Sequence, residues 1–415
     1  MMVLPRLSIC LLISLLACLG PTSARAATPL DRDTVLRLAR ERSPQVLAAR
    51  ARLDAAAGDL TSARAWAHNP ELELEWTRRE ATDGDWQDRG WRVDQRLDLA
   101  GRRPRIGAAR ADFAAAEWQR LDAGTAAATE AVRAWLTALH AGAQRELAVE
   151  GAAVQERLRA VAAARYAAGE TGALDEARAT VAVARARAAL ADSRAVEFDA
   201  LADLAAMLQV DDAALPAVSG DLAWPAPPAL EAVREAALAQ PGLEALGSMK
   251  EAADARRSLA GSLAWPELGV FGGTGREENA DLRTLGVTLS VPVFARGQGE
   301  RKSTAASARL AEVELEAARR ARLAQVTAAW HRHRELQAAA DADSAATSAA
   351  LEASVRLSEA AYSLGEIPLD EALLAQREQL EARRELNDLR LSAALAALDV
   401  AYLAALPPLH EGTTP

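Results

Sequence analysis

The chain has 415 residues, 48 basic and 58 acidic side chains, a formal net charge of −10, and an apolar half in which only 4% of residues are aromatic. That apolar fraction excludes a disordered chain, and the acidic balance argues against a nucleic-acid partner. Cys10 and Cys18 are the only cysteines, which excludes a disulfide scaffold. Alanine dominates the apolar count and buries about one methyl each, which suits long, closely packed helices better than a compact globule.

Arg6 leads into an apolar run from Leu7 to Leu19, closed by Gly20-Pro21 and followed by Ala24-Arg25-Ala26. This is the order of a secretory signal (residues 1–26), with cleavage expected after Ala26. The run is too short for a comfortable bilayer span. A second reading is a lipoprotein signal, Leu15-Leu16-Ala17-Cys18, with Cys18 acylated. Cleavage after Ala26 leaves 46 basic against 58 acidic side chains, a net charge of −12, and no cysteine. Such a chain suits an oxidising, extracytoplasmic compartment. No later stretch reaches 18 uninterrupted apolar residues, so no transmembrane helix is predicted. The exported protein is either soluble or crosses a membrane as strands.

The remainder is written twice. WAHNPELELEW around Pro70 recurs as LAWPELGVFGG around Pro266, 196 residues on. Val93-x-Gln95-x-Leu97-x-x-Ala100-Gly101-Arg102 recurs at the same offset as Leu289-x-Val291-x-Val293-x-x-Arg296-Gly297-Gln298. RYAAGETGALDEA (165–177) recurs as AYSLGEIPLDEA (361–372). The first repeat spans 27–222, a Pro-rich linker 223–229, the second repeat 230–407 and a C-terminal tail 408–415.

Each repeat predicts a short helix (about 31–42; about 229–239), then a second (about 44–66; about 242–262), then a β-hairpin (about 70–99; about 266–294). Glu71-Leu72-Glu73-Leu74-Glu75-Trp76 alternates strictly, with three carboxylates on one face. A polar loop, ATDGDWQDRG, leads to a strand with Arg92, Asp94, Arg96 and Asp98 on its polar face. In the second hairpin Leu285, Val287, Leu289, Val291 and Val293 share a face. Strands of nine to eleven residues fit a tilted transmembrane β-strand; a half-exposed soluble hairpin has the same pattern. Long helices follow, roughly 104–168 and 298–364, each about 100 Å at 1.5 Å per residue. Each meets a glycine turn (Gly169, Gly365) with its tip near 169–175 or 365–371. The returning helix carries heptad-spaced apolar residues.

Four strands cannot close a barrel, and open sheet edges cannot sit in lipid. Three copies would pool twelve strands. The fold class expected is therefore mainly α with transmembrane β: a homotrimeric 12-stranded β-barrel, four strands per chain, continued by a long periplasmic α-helical barrel.

On the twofold repeat, the Pro-x-Leu strand starts, SVPVFARGQ and YSLGEIPLDEALLAQREQLEARRELN, the chain resembles the TolC-like outer-membrane efflux proteins. RLDLAGRRPRIGAARA is most similar to their heavy-metal, CzcC-type (cobalt-zinc-cadmium) branch. The resemblance implies a homotrimeric outer-membrane channel of a Gram-negative bacterium, extending into the periplasm and docked to a periplasmic adaptor (membrane fusion) protein and an inner-membrane resistance-nodulation-division pump. It implies export of heavy-metal cations through a passive conduit with no cofactor and no enzymatic role. Alternative cargoes are drugs, or proteins in type I secretion. Rival readings are a periplasmic adaptor and a non-conducting coiled-coil scaffold.

Site expectations follow. Glu170, Asp175, Glu176, Glu366, Asp370 and Glu371 crowd the periplasmic tips, where a ring of acids favours cations. The resemblance assigns Asp175 and Glu371 to an entrance constriction and Tyr362 to a tip tyrosine, while Leu374 and Ile367 depart from its pattern. The acids equally suit the first turn of a helix, where the dipole favours them. Glu71, Glu73, Glu75, Arg92, Asp94, Arg96 and Asp98 are candidate lumen-lining residues, with Trp76 and Trp91 as girdle or packing residues. His331 and His333 point to different helix faces, and with His68, His140 and His410 scattered, no metal site is expected. Neither a G-x-S-x-G, an H-E-x-x-H nor a P-loop lysine motif occurs. AGRRPR and ARGQGER read as Arg-rich strand-to-helix turns rather than phosphate sites.

Overall fold

Asp31 starts the first helix by accepting the Thr34 N–H on its carboxylate at 2.9 Å, and α1 runs Arg32–Arg42. Pro44, which has no N–H to leave unpaired in a first turn, opens α2 (Pro44–Arg64). Strict alternation then builds β1 (Glu71–Ala81) and β2 (Gly84–Leu97). Helix α3 (Arg102–Ala167) is 66 residues without a break, about 100 Å long. Gly169 turns at φ 77°, and α4 (Ala173–Leu208) returns. The plan then recurs as α5 (Leu230–Leu238), α6 (Pro241–Ser262), β3 (Glu267–Glu277), β4 (Ala280–Ser290), α7 (Gln298–Ala342), α8 (Ala345–Leu364) and α9 (Leu369–Leu403).

This computed structural model describes residues 29–81, 84–210, 217–277, 280–342 and 345–409. The expected signal segment with Cys18, and the tail residues 410–415 with His410, lie outside the described residues.

The strands form one antiparallel sheet in the order β1-β2-β3-β4. The two hairpins are joined by β2 and β3, paired from Arg89↔Arg276 to Leu97↔Leu268. Two details differ from the sequence reading. The ten-residue polar loop is strand for most of its length: pairing continues through Thr77↔Asp88 to Ala81↔Gly84. Polar residues there keep the ladder. Conversely, β4 ends at Ser290 rather than near 294, because Pro292 has no N–H to donate to a ladder.

Glycine permits two close approaches. A Cβ on Gly286 would lie 2.3 Å from the Phe271 ring, so Phe271 lies across β4 only because its partner Gly286 is bare. A Cβ on Gly220, at φ 141°, would lie 2.5 Å from the Trp135 indole. That indole is buried and donates to the Leu30 carbonyl at 3.0 Å.

Helix α3 is the spine, touching α1, α2, α4, α6 and α9. Its buried residues are mostly alanine, from Ala108, Ala111 and Ala115 to Ala162, with Val132, Trp135 and Leu136 where the packing widens. The main core joins α1, α3, α4 and α9 around Val35, Leu136, Leu204, Leu208 and Leu398. A second core, Val233, Val326 and Val400, ties α5 to α7 and α9.

Leu136 is fully buried, so Leu136→Ala is expected to cost about 2–5 kcal/mol, read by thermal unfolding. Asp31→Ala is expected to cost about 1 kcal/mol through loss of the helix cap. The Thr34 hydroxyl and backbone N–H hold the Asp31 carboxyl below its usual range. Its contribution is therefore complete at neutral pH and is lost as pH falls through the lowered folded value. An acid titration of wild type against Asp31→Ala reads that difference.

Candidate functional site: a two-faced sheet and an acidic helix tip

The register sorts the strand residues into two faces. Glu71 faces Asp94 and Glu73 faces Arg92 across β1 and β2. Arg92, Asp94 and Arg96 stand opposite Gly273, Phe271 and Gly269 of β3. The polar face continues onto β4 as Thr284, Gly286, Thr288 and Ser290. On the other face lie Leu72, Leu74, Trp76, Trp91 and Val93, then Val270, Leu285, Val287 and Leu289. Nothing covers them: Trp76 is 73% exposed, Leu285 90% and Val287 65%.

The polar face is largely self-neutralised. Arg96 donates to Glu71 at 2.7 Å, and Arg92 pairs with Asp94 at 2.8 Å while its guanidinium stacks on Phe271 at 4.0 Å. Among the described residues Glu73 and Glu75 have no cationic partner, and Glu75 accepts from the Thr77 hydroxyl at 3.4 Å. Asp98, expected among the lining acids, is tied down elsewhere. It accepts the Gly101 N–H at 2.9 Å and pairs with Arg105 at 2.9 Å, holding the strand-to-helix turn.

At the far end the two helical hairpins meet in a small core of Leu158, Ala162, Ala179, Tyr362, Leu369 and Ala372. Tyr362 is almost fully buried, and its repeat counterpart Tyr166 is exposed. Arg165, which sequence reasoning missed, organises this contact. Its guanidinium donates to the Tyr362 carbonyl at 2.9 Å, pairs with Glu170 at 3.3 Å and lies 5.2 Å from the Tyr362 ring centroid. The cation absent at Ile367 is thus present on the other hairpin. The signal was the mismatch of the two tip repeats, in which Arg165 aligns with Ala361. Burial pushes the Tyr362 hydroxyl above its ordinary pKa, opposed by Arg165 and assisted by Asp175.

Asp175 and Glu176 open α4, and Asp370 and Glu371 open α9. Neither helix has a side-chain cap, since the cap positions are Gly172 and Pro368. All four acids sit where the helix dipoles favour negative charge. Glu366, Asp370 and Glu371 are exposed, Asp175 and Glu176 half-buried, and none of the five forms an ion pair among the described residues. The structure therefore joins Glu170 and Tyr362 through Arg165 and leaves the other five acids without an ion pair among the described residues.

Three of the four described histidines have side chains with a local partner, and the His68 carbonyl accepts from Gln95 at 2.9 Å. His333 is buried with Nδ1 3.3 Å from the Ala393 carbonyl, His140 lies 2.6 Å from Asp388, and His331 packs edge-on against Trp330. Among the described residues no three His, Cys, Asp or Glu side chains are grouped to hold a metal ion. No described helix is long and apolar enough to cross a membrane.

The chain is mainly helical, with a two-faced four-stranded sheet at one end and paired helical hairpins at the other. Residues 35–209 match the family model described as outer membrane efflux protein. The chain is 28% identical over 283 residues to the cobalt-zinc-cadmium resistance protein CzcC of Cupriavidus metallidurans, an alignment covering 66% of each protein, just under two thirds. The fold is that of CusC, studied for transmembrane channel formation (TM-score 0.76, 16% identity, 91% of this chain and 93% of that one). It is also that of the Neisseria gonorrhoeae MtrE outer membrane channel in its open state (TM-score 0.70, 18% identity, 92% and 91%).

Arg165→Ala removes the link between the hairpins. Hydrogen exchange of segment 360–368 is expected to accelerate severalfold, with Arg165→Lys intermediate because an ammonium lacks the planar fork. Unchanged exchange in Arg165→Ala would assign the tip contact to the apolar core alone.

Proposed function

We propose that this chain is the outer-membrane channel of a tripartite efflux system, working as a homotrimer with a periplasmic adaptor and an inner-membrane resistance-nodulation-division pump, and that its cargo is heavy-metal cations. The observation that carries the reading is the sheet. It has an uncovered apolar face, a charged face, and two edge strands, β1 and β4, whose outer sides are unpaired among the described residues. In lipid every backbone N–H and C=O must be paired within protein, so such a sheet needs further copies. Joining β4 of one copy to β1 of the next closes twelve strands in three copies. Leu285, Val287 and Trp76 then face lipid, and Glu71, Glu73, Glu75, Arg92, Asp94 and Arg96 face the lumen. The helices continue the tube for about 100 Å.

Charge supports the choice of cargo sign. The lining has Glu73 and Glu75 in surplus, and the two tips of each chain together offer Glu170, Asp175, Glu176, Glu366, Asp370 and Glu371 against Arg165. Convergent carboxylates around a narrow opening concentrate cations and repel anions. The metal cargo is supported by the likeness to CzcC, a cobalt-zinc-cadmium resistance protein. Transport energy comes from the pump; this chain supplies passage, for which tight metal coordination would be a hindrance.

In planar bilayers the purified protein is expected to conduct and to prefer potassium over chloride. Asp175→Asn with Glu371→Gln should weaken that preference severalfold at low salt and progressively less as salt screens the ring. A deletion strain should lose tolerance to a few of zinc, cadmium, cobalt, nickel, copper and silver. Sensitivity to dyes and detergents with normal metal tolerance would reassign the cargo to drugs. Absence of conductance would leave a coiled-coil scaffold.

A further inference from the structure

We propose that a basic groove between α6 and α7 binds the phosphate of an anionic phospholipid in the leaflet facing the periplasm. The inference rests on the outer-membrane reading above. The groove has a volume of about 690 Å³ and is lined by Arg257, Gly261, Gln298, Arg301, Lys302 and Arg309, among others. No carboxylate lines it. All four cations are exposed, and among the described residues none forms an ion pair, in a chain of net charge −10.

Comparison of the repeats shows that this is not inherited from the shared plan. In the first repeat Arg105 is neutralised by Asp98 at 2.9 Å and donates to the Ala63 and Ala65 carbonyls at the end of α2. At the offset of 196 residues Arg301 takes the place of Arg105, but Phe294 stands where Asp98 was. The same offset puts Arg257 on Thr61, Lys302 on Ile106 and Arg309 on Phe113. Along the groove the second repeat has lost Asp98 and gained three cations, while Gln298 and Ala306 replace Arg102 and Arg110. Arg301 closes the first turn of α7 beside Glu300, and Lys302 follows it; the helix dipole favours Glu300 and disfavours the cations there. An external anion offsets both that dipole and the mutual repulsion.

The location identifies the anion. The open end of the groove adjoins the foot of the sheet, where Leu263, Trp265, Val293 and Phe294 are exposed, Phe294 to 92%. An apolar band, then exposed aromatics, then unpaired Arg and Lys is the order in which a protein surface meets acyl chain, interface and headgroup. The long (CH₂) stems allow the charges to reach that level from the first helical turns. ARGQGER, a plain turn in sequence, becomes half of a binding surface once α6 brings Arg257 beside it.

The test is native mass spectrometry of the full-length protein in its native oligomer, titrated in detergent with phosphatidylglycerol or phosphatidylcholine. The wild type should retain phosphatidylglycerol roughly tenfold more tightly, and R257Q/R301Q/K302Q/R309Q should lose the preference. A control, R178Q/R185Q/R194Q on α4, should keep it. Equal retention of the two lipids by the wild type, an equal drop in the control, or displacement by millimolar inorganic phosphate would each overturn the assignment. Bilayer conductance of the same wild-type sample separates the two readings. Conductance without lipid preference removes only the groove; a protein that neither inserts nor conducts removes the outer-membrane reading and the groove with it.

Discussion

Backbone hydrogen bonding in the sheet is the constraint on which the rest depends. A hairpin on its own leaves two strand edges open, and each repeat makes a single hairpin. Pairing β2 with β3 removes two of those four edges and makes one sheet from two repeats. That pairing fixes the register of every strand, and in an antiparallel ladder the register decides which residues share a face. Charged partners such as Glu71 and Asp94 thus fall on one side, and Leu74 and Trp91 on the other. A slip of one residue would interleave the carboxylates with the leucines, and neither a lipid face nor an aqueous face would exist.

The helical part is governed by closeness rather than bulk. Alanine at 3-4 spacing along α3 lets five neighbouring helices approach one long spine. Dispersion and apolar burial per residue are small, but they are summed over about 100 Å. The larger side chains are kept for places where elements diverge: Trp135 against Gly220 near the linker, Leu204 and Leu208 at the end of α4, and Tyr362 at the tip.

The two repeats share a plan and differ in their chemistry. Tyr362 is buried where Tyr166 is exposed, and Arg165 has no counterpart at Ala361, so the tip contact is asymmetric and held by one guanidinium. At the opposite end Asp98 neutralises Arg105 in the first repeat, whereas Phe294 leaves Arg301 unpaired in the second. Duplication supplied the architecture, and divergence at the two ends of each helical hairpin supplied the chemistry.

The sequence alone determined most of the architecture. Strict alternation in β1, proline-free helical stretches bounded by Gly169 and Gly365, and a repeat at 196 residues are local or periodic signals that read directly, the second stretch being described as α7 and α8 on either side of residues 343–344. The polar faces and tip acids were legible for the same reason. Three things were not. The length of β2 was hidden because a run of polar residues with Gly84 and Asp85 in it reads as a loop when the pairing is not known. The tying down of Asp98 depended on where the first turn of α3 placed Arg105. The Arg165–Tyr362 contact and the groove uniting Arg257 with Arg301, Lys302 and Arg309 join residues from different elements, 197 and 44 to 52 positions apart. Pairings of that kind are set by how helices lie against one another, and no periodicity within a single segment encodes them.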